Sequence, residues 1–293
     1  MFPAKIDKYV RPQSVADALS ALAGFDEGDA IFLAGGQSAM QAIKSRMLRP
    51  ECIVDLQDIA ELKGIDAGGA GLTIGAMTRY VEIAHATNLA SAFAALADAA
   101  AHVGDRQVRN RGTIGGSVCW NYMASCLPTV VLGTNGTMNL VAADGSKRSV
   151  AADDFFLGPL ETARESNEIL TSITWDAPAA NSGSAYKKWG LVTDALPVVG
   201  VCVSVAVGTD GNCSSARVSL PGLADGGQRA PAAEAGLIGS DGGADAIAQA
   251  MAAAAEAAET HSDMSADADY RRQLIRSLGC EVAATAFARA RAN

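Results

Sequence analysis

Histidine is scarce in this chain, and its cysteines do not pair. The three histidines, His85, His102 and His261, stand far apart, and none falls in an H-x-x-x-H or C-x-x-H spacing. A self-contained metal centre or a His-based hydrolytic site is therefore not expected. Six cysteines (Cys52, Cys119, Cys126, Cys202, Cys213 and Cys280) are scattered without a C-x-x-C pair. Zinc and iron–sulfur sites gather about four ligands, so reduced, mostly buried thiols are the expected state. No apolar run reaches the roughly 20 residues of a membrane helix. "MFPAKIDKYV" lacks the apolar core of a secretory signal, which makes the cytoplasm the expected compartment. A formal charge of −9 argues against nucleic acid, whose phosphates need a basic surface.

What is present describes a compact chain. Its 293 residues are 49% hydrophobic and 19% charged, enough to bury one large core or two smaller ones. The first half alternates short strands and helices. Ser14 is placed to cap "VADALSALAG", and "AIFLAGG" reads as a buried strand running into glycines before the helix "SAMQAIKSRML". "CIVDL", "GLTIGAM", "TMNLVAADG" and "NEILTSITW" read as strands, and "TRYVEIAHAT" as a helix capped by Thr78. The small, polar stretch 178–184 is the linker candidate. Beyond it come two strands joined at Asp210-Gly211 and then three helical stretches, an α+β unit with strands first.

Two glycine clusters are the candidates for chemistry. In "LAGGQS" (Leu33 to Ser38) a strand stops on Gly35 and Gly36 before a helix, which presents free N–H groups to an anion. Gln37 breaks the G-x-G-x-x-G spacing, although Asp55 lies about twenty residues on, as a dinucleotide motif requires. In "GTIGGS" (Gly112 to Ser117), Thr113 offers a hydroxyl while Gly115 and Gly116 permit close backbone approach to a diphosphate. Arg106, Arg109 and Arg111 just upstream suit either bidentate phosphate contact or surface ion pairing. Spacing alone leaves both open.

The strings "LAGGQSAMQAIKSRMLRPECIVDLQDIAEL", "LTIGAMTRYVEI", "QVRNRGTIGGS" and "DDFFLGPLETARESNEILTSI" resemble the FAD-binding medium subunit of molybdenum hydroxylases, the carbon monoxide and xanthine dehydrogenase type. "AYKKW…LPVVGVCVSV" and "DYRRQLIRSLG" extend the similarity to nearly the whole chain. The resemblance implies an α+β fold: a two-part FAD-binding domain of the vanillyl-alcohol-oxidase (PCMH) type over residues 1–177, with parts at 1–57 and 58–177, then a smaller domain over 178–293 with an antiparallel sheet and helices. It also implies FAD as cofactor. Leu33, Ala34, Gly35, Gly36, Gln37, Ser38 and Ala39, together with Thr113, Gly115, Gly116 and Ser117, would hold its diphosphate with backbone N–H groups. Ile169 or Leu170 would border the adenine or ribose, and Lys187 would sit near the flavin.

The chain departs from the family pattern in three places. Ser117 stands where many relatives have Asn, and "NYMASCLP" replaces A-D-P-x-x-D-L-P, so that Cys126 occupies the position of an Asp that often contacts ribose. A thiol accepts hydrogen bonds poorly beside a carboxylate. "WGLVTDALP" lacks the arginines often found after the lysine. By resemblance, molybdopterin and [2Fe–2S] centres belong to separate large and small subunits, in a dimer of heterotrimers. Electrons would pass from the clusters through FAD to an external acceptor, with no membrane span in this chain and no proton-transfer residue required. The competing readings are a self-standing flavin oxidoreductase of the same fold and a non-catalytic relative that has lost FAD.

Overall fold

The computed structural model describes residues 2–68 and 71–292. Strands β1 (Lys8–Val10), β2 (Ala30–Leu33) and β3 (Cys52–Asp55) form a parallel sheet in the order β1-β3-β2, with α1 (Val15–Leu22) and α2 (Ala39–Lys44) as the crossovers. Helix α1 starts where the Ser14 side chain accepts from the Asp17 N–H, and it buries Val15, Ala18 and Leu19 against the sheet. The central strand β3 is buried along its whole length, as a parallel strand covered on both faces must be.

A second unit follows. Its elements are β4 (Ile65–Asp66), β5 (Gly71–Gly75), α3 (Tyr80–Ala84), α4 (Ala94–Ala101), α5 (Arg106–Arg111), α6 (Ile114–Trp120), α7 (Cys126–Gly133), β6 (Thr137–Ala142), β7 (Lys147–Ala151), α8 (Ala152–Phe155), β8 (Phe156–Gly158), β9 (Glu161–Thr162) and β10 (Glu168–Asp176). Five of the strands make an antiparallel sheet, β4-β5-β10-β6-β7. The apolar "TVVLGT" lies in α7, all of whose eight residues are buried against this sheet and its neighbouring helices. Alternation along β10 puts Ile169 into the core under the first sheet and Leu170 into the second core, so this one strand serves both. The Thr78 side chain does not cap α3. Its hydroxyl is held by Gly64 N–H and carbonyl at 3.0 Å each, while Glu82 accepts from the Arg79 N–H at the start of the helix. Gly64 lies far away in sequence, which is why local spacing misassigns Thr78.

The last unit is an antiparallel sheet in sequence order, β11 (Ser182–Trp189), β12 (Val199–Val207), β13 (Cys213–Leu223) and β14 (Gly226–Arg229), covered by α9 (Pro231–Leu237), α10 (Ala244–Ala257) and α11 (Ala268–Arg291). Gly211 turns the β12–β13 connection at φ +85°, as the Asp-Gly pair predicts. The expected linker over 178–184 is only partly one, because β11 already begins at Ser182 and Gly183 and Ser184 are buried.

This sheet is fastened to the second unit through α4. The Arg289 guanidinium on α11 spans both carboxylate oxygens of Asp98 at 2.6 and 3.0 Å, and it also donates to the Ser184 carbonyl. Asp98 further accepts from the Tyr186 N–H, and the Ser184 hydroxyl accepts from the Ala95 N–H. On the other flank Arg217 donates to Leu132 O and Asp153, which also pairs with Arg229. Arg289→Leu removes donors from a partly buried carboxylate, so a loss of roughly 1–3 kcal/mol is expected in denaturant unfolding. The larger loss should come from Arg289→Leu rather than from Lys187→Met, whose partner is exposed.

Candidate functional site

Two glycine loops meet face to face. Strand β2 ends at Leu33, and the chain passes through Ala34, Gly35, Gly36, Gln37 and Ser38 into Ala39 of α2. Gly36 holds φ +72°, a left-handed conformation that suits glycine. A Cβ built on Gly35 would lie 2.1 Å from the Arg111 carbonyl oxygen and 2.8 Å from the Gly112 Cα. The first loop therefore lies directly on the backbone that joins α5 to α6. From the other side, a Cβ on Gly116 would come within 3.2 Å of the Ala34 Cβ.

The donors are unequally shared between the loops. In the second loop, the Ile114 N–H donates to Thr78 O, Gly115 to Ala76 O and Ser117 to Thr113 O, while Gly116 donates to the Thr113 hydroxyl. The Ser117 hydroxyl is hydrogen-bonded to Tyr80, whose phenol is pushed up to about 12 by burial. Gly115 is bare because a Cβ there would strike Ala76 at 2.5 Å. The N–H groups of Ile114, Gly115, Gly116 and Ser117 are thus spent inside the protein. In the first loop the opposite holds. Among the described residues none accepts from the N–H groups of Gly35, Gly36, Gln37 or Ser38, and Ser38 makes no side-chain cap of α2. Consecutive unpaired N–H groups in a tight turn form a cradle for an anion, and an FAD diphosphate meets that requirement.

Asp55, beside Leu33 on the neighbouring strand, is unavailable to a ribose. It is buried and accepts from the Tyr9 hydroxyl and from the backbone and side chain of Gln57. Ile169 and Leu170 are 2% and 4% exposed, with their side chains in the two cores.

The two lysines of "AYKKW" part company in the structure. The Lys187 ammonium pairs with Glu281 of α11 at 2.6 Å, on the face of β11 that α11 covers. Strand alternation turns the next residue, Lys188, to the opposite face with Tyr186. Lys188 is half-buried, its ammonium donates to the Ala195 carbonyl, and burial pushes it down from its ordinary value, with Arg109 adding to the depression. The signal was legible in "AYKKW", where a buried tyrosine two residues earlier marks the inward face.

Cys126 opens α7 and is buried beside the Tyr186 hydroxyl and within the field of Lys188. Burial raises the thiol, so it stays protonated at neutral pH and supplies no negative charge. Tyr186 is likewise raised by burial, and its hydroxyl has no well-formed hydrogen bond among the described residues. Where a carboxylate is expected by resemblance, this chain has an uncharged pair under a lysine. Asn121, unremarked in the sequence, is buried at φ +42° and donates to the carbonyls of Gly158 and Glu161. It pins the β8–β9 hairpin, with its exposed Leu157 and Leu160, to the end of α6.

Residues 4–175 match the family described as the FAD binding domain in molybdopterin dehydrogenase, and residues 184–286 match the CO dehydrogenase flavoprotein C-terminal domain. The carbon monoxide dehydrogenase medium chain of Hydrogenophaga pseudoflava is 34% identical over 92% of this chain and 93% of its own length. The nicotine 6-hydroxylase medium subunit of Paenarthrobacter nicotinovorans is 30% identical over 92% and 94%. Among solved structures, carbon monoxide dehydrogenase from Hydrogenophaga pseudoflava superimposes with a TM-score of 0.91 at 34% identity, covering 99% of both chains. Quinoline 2-oxidoreductase from Pseudomonas putida 86 superimposes with a TM-score of 0.89 at 27% identity, again over 99% of both. The chain belongs to the family of FAD-binding medium subunits of molybdenum hydroxylases, which are oxidoreductases.

Proposed function

We propose that this chain is the electron-transfer flavoprotein of a heteromeric molybdenum hydroxylase, with residues 1–177 holding FAD and residues 178–293 closing over it. Electrons from [2Fe–2S] centres on a small subunit would reach FAD here and leave to an external acceptor. The molybdopterin would lie on a large subunit, in a dimer of heterotrimers. The observation that carries the reading is the unpaired row of N–H groups from Gly35 to Ser38, seated on the α5–α6 backbone.

FAD supplies the redox chemistry when bound, by taking up and releasing electrons. The chain's own residues bind and orient it. Gly35, Gly36, Gln37 and Ser38 would donate to the diphosphate, and Ala34 and Ala39 flank that turn. Leu33 anchors it in the core. Thr113, Gly115, Gly116 and Ser117 would keep it in place from behind. Lys188 is the cation available to the flavin end, in place of Lys187, and no carboxylate at position 126 offsets it. A positive charge beside flavin favours its electron-rich form.

The complex, purified with its native neighbours, should contain this chain with two others and show flavin absorption. A chain that never carries flavin, or one that turns over substrate alone, would overturn the reading. Gly36→Val should cut FAD retention at least about tenfold, because a β-branched residue resists φ > 0 and the cradle would open. The measurement is flavin released per protein after gel filtration, with unchanged far-UV circular dichroism as the control. Lys188→Met should weaken FAD binding about tenfold or shift the flavin spectrum, whereas Lys187→Met leaves both unchanged. Equal effects from the two would refute the face assignment.

A further inference from the structure

One buried arginine grips the two strips of backbone that lead to Lys188 and Cys126. Arg271 lies on α11 and is 2% exposed. Its Nη1 donates to the carbonyls of Val198 and Gly222 at 2.5 and 3.2 Å. Its Nη2 pairs at 2.8 Å with Asp263, which also accepts from the N–H groups of Ser265 and Ala266. A guanidinium is costly to bury unless its charge and its donors are met. Here it is buried where the start of one strand meets an irregularity in the next.

The Val198 carbonyl closes a loop. Residues 190–198 leave β11 after Trp189 and enter β12 at Val199. Leu191, Val192 and Leu196 are exposed, so this loop gains little order from apolar packing. It is held at its base instead. The Val198 N–H donates to the Trp189 carbonyl, and the Tyr270 ring meets the Trp189 ring edge-on at 5.5 Å. Arg271, the next residue on α11, takes the Val198 carbonyl. Within the loop, Ala195 supplies the carbonyl that receives the Lys188 ammonium.

The Gly222 carbonyl belongs to a bulge. Strand β13 shifts register against β14 between Leu220 and Leu223, with Gly222 at φ +84°. A Cβ on Gly222 would lie 2.4 Å from the Val198 oxygen, so the two gripped segments are in direct contact. A bulge re-aims the backbone, and this one lets the Gly222 N–H donate to the Met123 carbonyl at 3.0 Å. Met123 lies just ahead of Cys126, where α7 begins. A single planar fork therefore fixes both the loop that seats Lys188 and the segment that delivers Cys126.

We propose that Arg271 is a positioning residue for the flavin end, setting Lys188 and Cys126 relative to each other through Val198 and Gly222. The inference rests on the FAD-subunit reading and adds to it a residue that acts on the cofactor through its neighbours. The test compares Arg271→Met, Arg271→Lys and Met251→Ala in the purified, flavin-containing complex. The measurements are flavin retained after gel filtration, visible circular dichroism of the bound flavin, and the thermal midpoint. Met251 is fully buried, and a Cβ on Gly279 of α11 would lie 2.4 Å from its sulfur, so Met251→Ala loosens the same helix without touching the clamp. Arg271→Met should cut flavin retention about tenfold, the loss of charge-assisted bonds, and change the flavin dichroism. Arg271→Lys keeps the charge but lacks the fork that spans two carbonyls. It should restore the thermal midpoint more fully than the dichroism, and it decides the matter if Arg271→Met does not fold. Met251→Ala should lower the midpoint and leave the flavin signals unchanged. An unaltered flavin signature in the Arg271 variants, or the same alteration in Met251→Ala, would make Arg271 purely structural and overturn the proposal. Full recovery of the signature in Arg271→Lys would overturn it too, since charge alone would then suffice. A flavin indifferent to Lys188→Met instead fails the earlier reading, so the two failures are told apart.

Discussion

The contact between Gly35 and the Arg111 carbonyl governs the rest of the site. Any side chain at Gly35 would have to occupy the space of that backbone oxygen, 2.1 Å from its Cβ. Only with the glycine can the turn after β2 lie on the α5–α6 connection, and only there are its N–H groups turned away from the protein's own acceptors. The same close approach recurs at Gly115 against Ala76 and at Gly116 near Ala34. Three segments remote in sequence are thus locked together by backbone contacts, whose geometry varies less than that of side chains.

That arrangement divides the work between the two loops. The second loop satisfies its own donors through Ala76, Thr78 and Thr113, and so gains rigidity. The first loop leaves its donors open and relies on the second for support. Unsatisfied N–H groups are costly when buried, and this row is tolerated because the turn is half-exposed. Behind it, β10 feeds side chains into two cores at once, which ties the parallel sheet to the antiparallel one without a flexible joint. The Asp98–Arg289 pair and the Asp153 cluster then fix the last sheet against the second unit. Lys188 and Cys126 meet at that junction, one from each side.

Much of this was legible in the residues. The glycine pairs marked the places of close approach, and the strand-then-helix order marked the final unit. The quoted motifs carried the family and its cofactor. The failures share one physical cause. Thr78 lies before a helix but is claimed by Gly64, and the N–H groups of Ile114 and Gly115 find acceptors on Thr78 and Ala76. In both cases a partner well outside the local motif takes the group. Lys187 is different. A one-residue slip in a strand moves a side chain to the opposite face, and the alternation around Tyr186 already pointed to Lys188.

Residue types and their order by themselves determined the strands-then-helices order of the final unit, the positions where backbone must approach backbone, and the absence of any histidine or cysteine spacing suited to a metal site. These follow from steric and chemical properties that each residue carries into any environment. Tertiary structure alone decided which donors stay free and that Cys126 is an uncharged buried thiol. Those outcomes depend on what stands within a few ångströms of a group. Hydrogen bonding, burial and charge interaction are all set at that range.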